Sequence, residues 1–192
     1  MYHAGSRKLQ QCFGSTALAD RYPRHICRDD FTDSDREFIE RATFFFLATS
    51  DPSGRPDCSF KGGPANFVKI AGPGLLQFPD YDGNGMFKSL GNILENPFIG
   101  MLFIEFSAKP RRLRVNGRAT IELLDEPVPD FIGAQAIINV AVERIFPNCP
   151  RYIPDLQAGE PSRYIPREGA DPVEPEWKNF KEFRDVVPRR SA

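Results

Sequence analysis

The stretch whose residue types could do chemistry is Phe78-Pro79-Asp80-Tyr81-Asp82-Gly83-Asn84-Gly85-Met86-Phe87-Lys88-Ser89-Leu90-Gly91-Asn92. Its glycines tolerate positive φ and close backbone approach, so a turn here can aim several N–H groups into one concavity. A helix is predicted just beyond. Its first-turn N–H groups, its dipole and the Lys88 cation together suit an anion such as a phosphate. The same composition also fits a surface loop whose glycines only turn the chain and whose lysine is solvated. Ser59-Phe60-Lys61-Gly62-Gly63 presents a similar choice. Lys61 at a strand end can reach the same anion, or it can be an ordinary edge charge.

Two more groups of reactive side chains stand outside that stretch. Asn148-Cys149-Pro150-Arg151-Tyr152 brings a thiol close to a guanidinium. Cys149 can equally be an inert packed thiol and Arg151 a surface charge, because reactivity needs a depressed pKa. Lys109, Arg111, Arg112, Arg114 and Arg118 form the main basic cluster, and strand alternation puts Arg112, Arg114 and Arg118 on one face. That face suits a phosphorylated or carboxylated ligand such as a nicotinamide cofactor, or acids across a dimer interface. No metal site is expected. His3 and His25 are the only histidines and neither lies in a ligand-spaced motif, while Asp29, Asp30, Asp33 and Asp35 lack the glycine and terminal glutamate of a calcium loop.

These residues need elements to position them. The first thirty residues mix apolar and basic types, as short helices outside a barrel would. Thr32 to Arg41 reads as a helix, with Thr32 or Ser34 as N-cap, Asp35 and Glu37 in the first turn, and Phe38 and Ile39 turned inward. From Thr43 to Ser50 the aromatic run makes a strand, and Asp51-Pro52-Ser53-Gly54 turns it back. Further strands are predicted at Cys58–Lys61, Phe67–Ile70 and Leu75–Phe78. Phe87, Leu90, Ile93 and Leu94 have helical spacing up to the stop at Pro97. Phe98–Phe106 and the alternating Arg112–Leu124 follow as strands, and the β-branched content of Ala136–Ile145 makes it strand rather than helix. After Pro147 an extended arm is expected, with Trp177, Phe180 and Phe183 on a short terminal helix.

The predicted class is therefore mainly β with peripheral helices. A single domain over 1–192 is expected, with an N-terminal helical arm to about residue 30 and a C-terminal arm from about 147. With 41% hydrophobic residues, including 17 Phe, the 192-residue chain can bury a core without staples. The four cysteines lack paired spacing and read as reduced thiols. A formal net charge of -1 leaves no global basic field, so nucleic acid is not an expected partner. The polar start predicts neither secretory signal nor membrane helix, and a cytoplasmic location follows by default.

Taken in order, these pieces resemble the pyridoxamine 5'-phosphate oxidase-like family of split-barrel FMN proteins, oxidase-related subgroup. The resemblance runs from His3-Ala4-Gly5-Ser6-Arg7 to Cys149-Pro150-Arg151-Tyr152. It is carried by Phe60-Lys61-Gly62-Gly63, Phe78 through Gly85, Asn92 with Asn96-Pro97, and Arg112-Leu113-Arg114-Val115-Asn116-Gly117. It implies a split β-barrel of the FMN-binding type, a homodimer with the flavin site at the subunit interface, and FMN as cofactor. By resemblance, Ser59, Lys61 and Gly62 approach the flavin. Phe78, Pro79, Asp80, Tyr81 and Asn84 flank the ring and ribityl chain, and Lys88 with Ser89 holds the phosphate. Asn92, Arg114, Asn148, Cys149 and Arg151 complete the expected set, part of it from a second subunit. No catalytic acid or base is implied.

The activity implied is that of an FMN-dependent oxidoreductase, with NADH, NADPH or a small molecule as electron partner. A non-catalytic flavin-binding, storage or sensing protein is the alternative, and deazaflavin or heme the alternative ligand. Two departures from the oxidase matter. Phe87-Lys88-Ser89 supplies one basic residue where the oxidase has two adjacent ones, so the phosphate leans more on backbone and hydroxyl donors. The oxidase's basic and aromatic tail, which recognises pyridoxal phosphate, has no match here, so vitamin B6 oxidation is not implied.

Overall fold

In Phe44-Phe45-Phe46-Leu47 apolarity is continuous, so strand pairing has to decide which side chains face inward. It selects Phe45, Leu47 and Thr49, which are buried, and leaves Phe44, Phe46 and Ala48 on the other face. The computed structural model describes residues 1–150, 152–154, 156, 167–169, 171, 173–174 and 179. The terminal helix expected around Trp177, Phe180 and Phe183, and Arg151, lie outside the described residues.

The helices are α1 (Ala4–Cys12), α2 (Thr16–His25), α3 (Asp33–Arg41) and α4 (Lys88–Glu95). The strands are β1 (Phe44–Ser50), β2 (Pro56–Gly62), β3 (Lys69–Gly72), β4 (Leu75–Tyr81), β5 (Phe98–Glu105), β6 (Arg111–Leu123) and β7 (Ala134–Pro147). All pairings are antiparallel, in the order β2-β1-β5-β6-β7-β4-β3. One cluster of buried side chains draws on β1, β4, β5, β6 and β7 together, so the sheet curls around it. It does not close: β2 and β3 remain edges, and the fold is a split β-barrel with peripheral helices. Phe45 sits centrally in the core, its ring centroid 5.0 Å from Phe78, 5.2 Å from Phe103 and 5.9 Å from Phe67.

Backbone chemistry explains several boundaries. α3 starts with a capping box, in which the Thr32 side chain accepts from the Asp35 N–H and the Asp35 carboxylate accepts from the Thr32 N–H. Burial alone would raise the Asp35 carboxyl. Hydrogen bonds from Arg28 and Thr32 outweigh it and hold the group below the ordinary carboxylate range. Between β6 and β7 the register shifts at Asn116/Gly117, and a Cβ at Gly117 would lie 2.4 Å from the Ala141 carbonyl oxygen. Only glycine lets the two backbones approach that closely.

Three expectations need correction. The strand predicted at Phe67–Ile70 begins at Lys69, because Asn66 turns the chain with φ 64° and delivers Phe67 and Val68 directly into the core. The strand predicted to end at Phe78 runs on to Tyr81, since β7 pairs with it as far as Ala134. Phe87 and Leu94 do not join the apolar face of α4. Phe87 precedes the helix in the left-handed region at φ 47°, and of the four apolar residues Leu90 and Ile93 alone are buried.

Candidate functional site

On the edge strand β2 the inward parity is polar. Register places Lys61, Ser59 and Asp57 opposite Phe45, Leu47 and Thr49, the three core-facing residues of β1. The interior therefore changes from apolar to polar at the split. Facing this stripe are the end of β4, the start of β7 and the loop leading into α4. Together they enclose a pocket of about 270 Å3.

Two ion pairs mark its ends. Lys61 Nζ lies 3.3 Å from Asp80 Oδ1, and Gln135 Nε2 donates to Asp80 Oδ2 at 2.7 Å and to the Tyr81 carbonyl at 3.1 Å. Lys88 Nζ lies 4.0 Å from Asp57 Oδ1. Asp57 and Lys61 are four residues apart on one strand, so their backbone positions are about 13 Å apart at ~3.3 Å per residue. The pocket is thus a slot along β2.

The two ends differ in chemistry. At the Lys88 end, α4 has no side-chain cap, so its first-turn N–H groups are open to an acceptor, and the Ser89 side chain is buried in the pocket wall. The chain turns at positive φ at Gly85 and Phe87, just before the helix, and the first-turn residues Lys88, Ser89 and Leu90 line the slot. Cation, dipole and N–H groups converge on one spot, which fits an anion. At the other end Asp80 is 7% exposed and both its oxygens are hydrogen-bonded, as a buried carboxylate requires. Burial pushes the adjacent Tyr81 phenol up to about 12, so it is neutral at physiological pH.

Of the residues expected at the site, the structure gathers Ser59, Lys61, Asp80, Tyr81, Asn84, Lys88 and Ser89 around the slot. Gly62 ends β2 just beyond it. Phe78 is fully buried against Phe45 and Pro79 is buried beside it, because continuation of β4 places both within the packed sheet rather than on the pocket wall. Asn92 instead ties α4 to β1, its Nδ2 donating to Thr49 Oγ1 at 2.9 Å. Arg114 lies on the outer face of β6, its guanidinium 5.9 Å from the Phe146 ring centroid. Asn148 and Cys149 sit beyond β7, where Arg112 Nη2 donates to the Cys149 carbonyl at 3.0 Å. Within one chain none of these last three lines the slot.

Sequence reasoning missed Asp57 and Gln135. The alternation Asp57, Ser59, Lys61 was available as a signal. Gln135 offered none, since only the pairing of β4 with β7 brings it to Asp80. Among the described residues there is no cluster of three or more potential metal ligands, and no helix is long and apolar enough to cross a membrane.

Residues 31–155 match the family model described as pyridoxamine 5'-phosphate oxidase. No curated protein matches the chain. Solved structures similar to it include HupZ of Group A Streptococcus, at 19% identity and TM-score 0.48, covering 67% of this chain and 99% of that one. An FMN-binding protein from Syntrophomonas wolfei is 11% identical with TM-score 0.47, covering 73% and 97%. HutZ, the heme storage protein from Vibrio cholerae, is 16% identical with TM-score 0.43, covering 59% and 92%.

Proposed function

This chain belongs to the pyridoxamine 5'-phosphate oxidase family, and from that premise we propose that its slot holds FMN and that the protein is an FMN-dependent oxidoreductase acting as a homodimer. The observation that carries this reading is the joining, in one slot, of an anion-binding end at Lys88 and Ser89 with a second polar end at Lys61, Asp80 and Tyr81. A phosphate on a polyol chain, ending in a flat ring with polar edges, matches both ends.

Lys88, the Ser89 hydroxyl and the open N–H groups of α4 would hold the phosphate. Ser59 and Asn84 line the middle of the slot and would meet the ribityl hydroxyls. Lys61, held by Asp80, and the neutral Tyr81 would orient the ring. When bound, FMN supplies the electron-transfer chemistry, and the chain supplies binding, orientation and charge.

A second copy of the chain has a surface to occupy. Outward-facing Phe60 is 62% exposed and stacks on Phe44 at 5.4 Å between centroids, with Phe46 at 6.0 Å. Half-buried Leu102 and Ile104 continue this face across β5. Cys58, also on the outward side of β2, lines the slot as well, so the apolar face is continuous with the site. Burial of such a patch in a dimer removes an exposed apolar surface next to an edge strand.

One experiment examines both halves of the proposal. In sedimentation of the FMN-mixed protein read at the flavin's visible absorbance, the colour should travel with protein at the mass of two chains. Colour left in the supernatant would refute flavin binding, and colour moving with single chains would refute the dimer. Anaerobic NADH or NADPH should then bleach the bound flavin; a flavin inert to both would favour a binding protein over an oxidoreductase.

A further inference from the structure

We infer that Lys61 and Asp80 form a compensated charge pair that keeps the ring end of the slot near neutral, with Asp80 cancelling the shift in reduction potential that Lys61 alone would impose on the cofactor. This rests on the flavin reading above and concerns what the ring end of the slot does. Lys61 and Asp80 meet at 3.3 Å with side chains 19% and 9% exposed, so neither charge is fully screened by water. Gln135 fixes the carboxylate from its other oxygen at 2.7 Å, which keeps Asp80 from turning away from Lys61. The other charges on the slot wall, Asp57 and Lys88, pair with each other at 4.0 Å, and Asp57 lies four residues from Lys61 along β2. Tyr81 is neutral there. The local charge felt at this end is therefore the balance between one ammonium and one carboxylate.

A flavin ring that takes up two electrons and one proton gains one negative charge. A nearby cation favours that state and a nearby anion disfavours it. With both present the pair is close to neutral toward the ring, and each charge masks the other. Gln135 and Asp80 are thus positioning residues, because they act on the ring through the placement and compensation of Lys61.

The test uses the full chain loaded with FMN and reduced stepwise by dithionite against a reference dye, in four forms: native, Asp80→Asn, Lys61→Met and the double variant. Asp80→Asn leaves the ammonium unopposed and should raise the reduced-over-oxidised affinity ratio about tenfold, which is a rise of about 30 mV for a two-electron couple. Lys61→Met leaves the carboxylate unopposed and should shift the ratio as far the other way. The double variant should return close to the native potential, an outcome that a merely structural role would not produce. Should Asp80→Asn fail to fold, Lys61→Met and the double variant, which carries no lone buried charge, still decide the matter. Shifts of the same sign in both single variants, or potentials unchanged in variants that still bind FMN, would overturn this inference alone. Absence of flavin binding by the native chain would overturn it together with the flavin reading.

Discussion

Replacing Lys88 by alanine is expected to weaken FMN binding at least tenfold while leaving riboflavin binding within about twofold of the native value. A hydrogen bond to a charged group contributes roughly 1.5–3 kcal/mol, and about 1.4 kcal/mol is a factor of ten in affinity. Lys88 is 59% exposed on its side chain, so water screens part of that interaction and the lower end of the range applies. What remains after its removal is the N-terminus of α4 and the Ser89 hydroxyl, which lack a formal charge. Riboflavin has no phosphate and should be indifferent to the change. Titration of both ligands into native and variant protein by flavin fluorescence reads the difference. Equal losses for FMN and riboflavin would mean that Lys88 acts through the loop rather than on a phosphate.

The second large effect is on stability. Phe45→Ala should destabilise the fold by about 3–5 kcal/mol, the usual range for removing a large buried aromatic ring. Phe45 is fully buried and its ring meets those of Phe67, Phe78 and Phe103, which come from the β3 approach, β4 and β5. The Phe45–Phe78 contact at 5.0 Å also matters to the slot, since β4 carries Asp80 two residues after Phe78 and β1 carries the polar strand β2 as its hairpin partner. Urea unfolding should show the midpoint moving down with little change of slope. A loss below about 1.5 kcal/mol would show that the core collapses around the cavity, and that these rings are not what holds β1 against β4.

The fold was readable to different depths along the chain. Local signals sufficed where they were redundant. Thr32 three residues before Asp35 marks the start of α3, Asp51-Pro52-Ser53-Gly54 marks the β1–β2 turn, and the parity of Leu113, Val115 and Ala119 marks the buried face of β6. Where long-range pairing decides, the residues alone were silent. Nothing in Pro79-Asp80-Tyr81 says that β7 continues to pair with it, so these residues read as a loop, and Phe78 read as part of a ligand wall rather than as core. The residues alone left Lys61 and Lys88 open between anion donors and ordinary surface charges, and family likeness chose the first and added Ser89. Asp80 entered through family likeness, whereas the counter-charge Asp57 and the clamp Gln135 depend on separate strands meeting, which is a property of register. Arg114, Asn148 and Cys149 came from family likeness, and a single chain keeps them away from the slot.

The central claim is that a flavin phosphate sits against the start of α4 while the ring lies toward Lys61. Amide proton–nitrogen spectra recorded during titration with FMN, and separately with riboflavin, address it most directly. The account predicts that the amides of Lys88, Ser89 and Leu90 shift with FMN and stay in place with riboflavin, while those of Lys61, Asp80 and Tyr81 shift with both. Shifts at Lys88 to Leu90 that are the same for both ligands, or FMN-induced shifts confined to residues away from the slot, would contradict it.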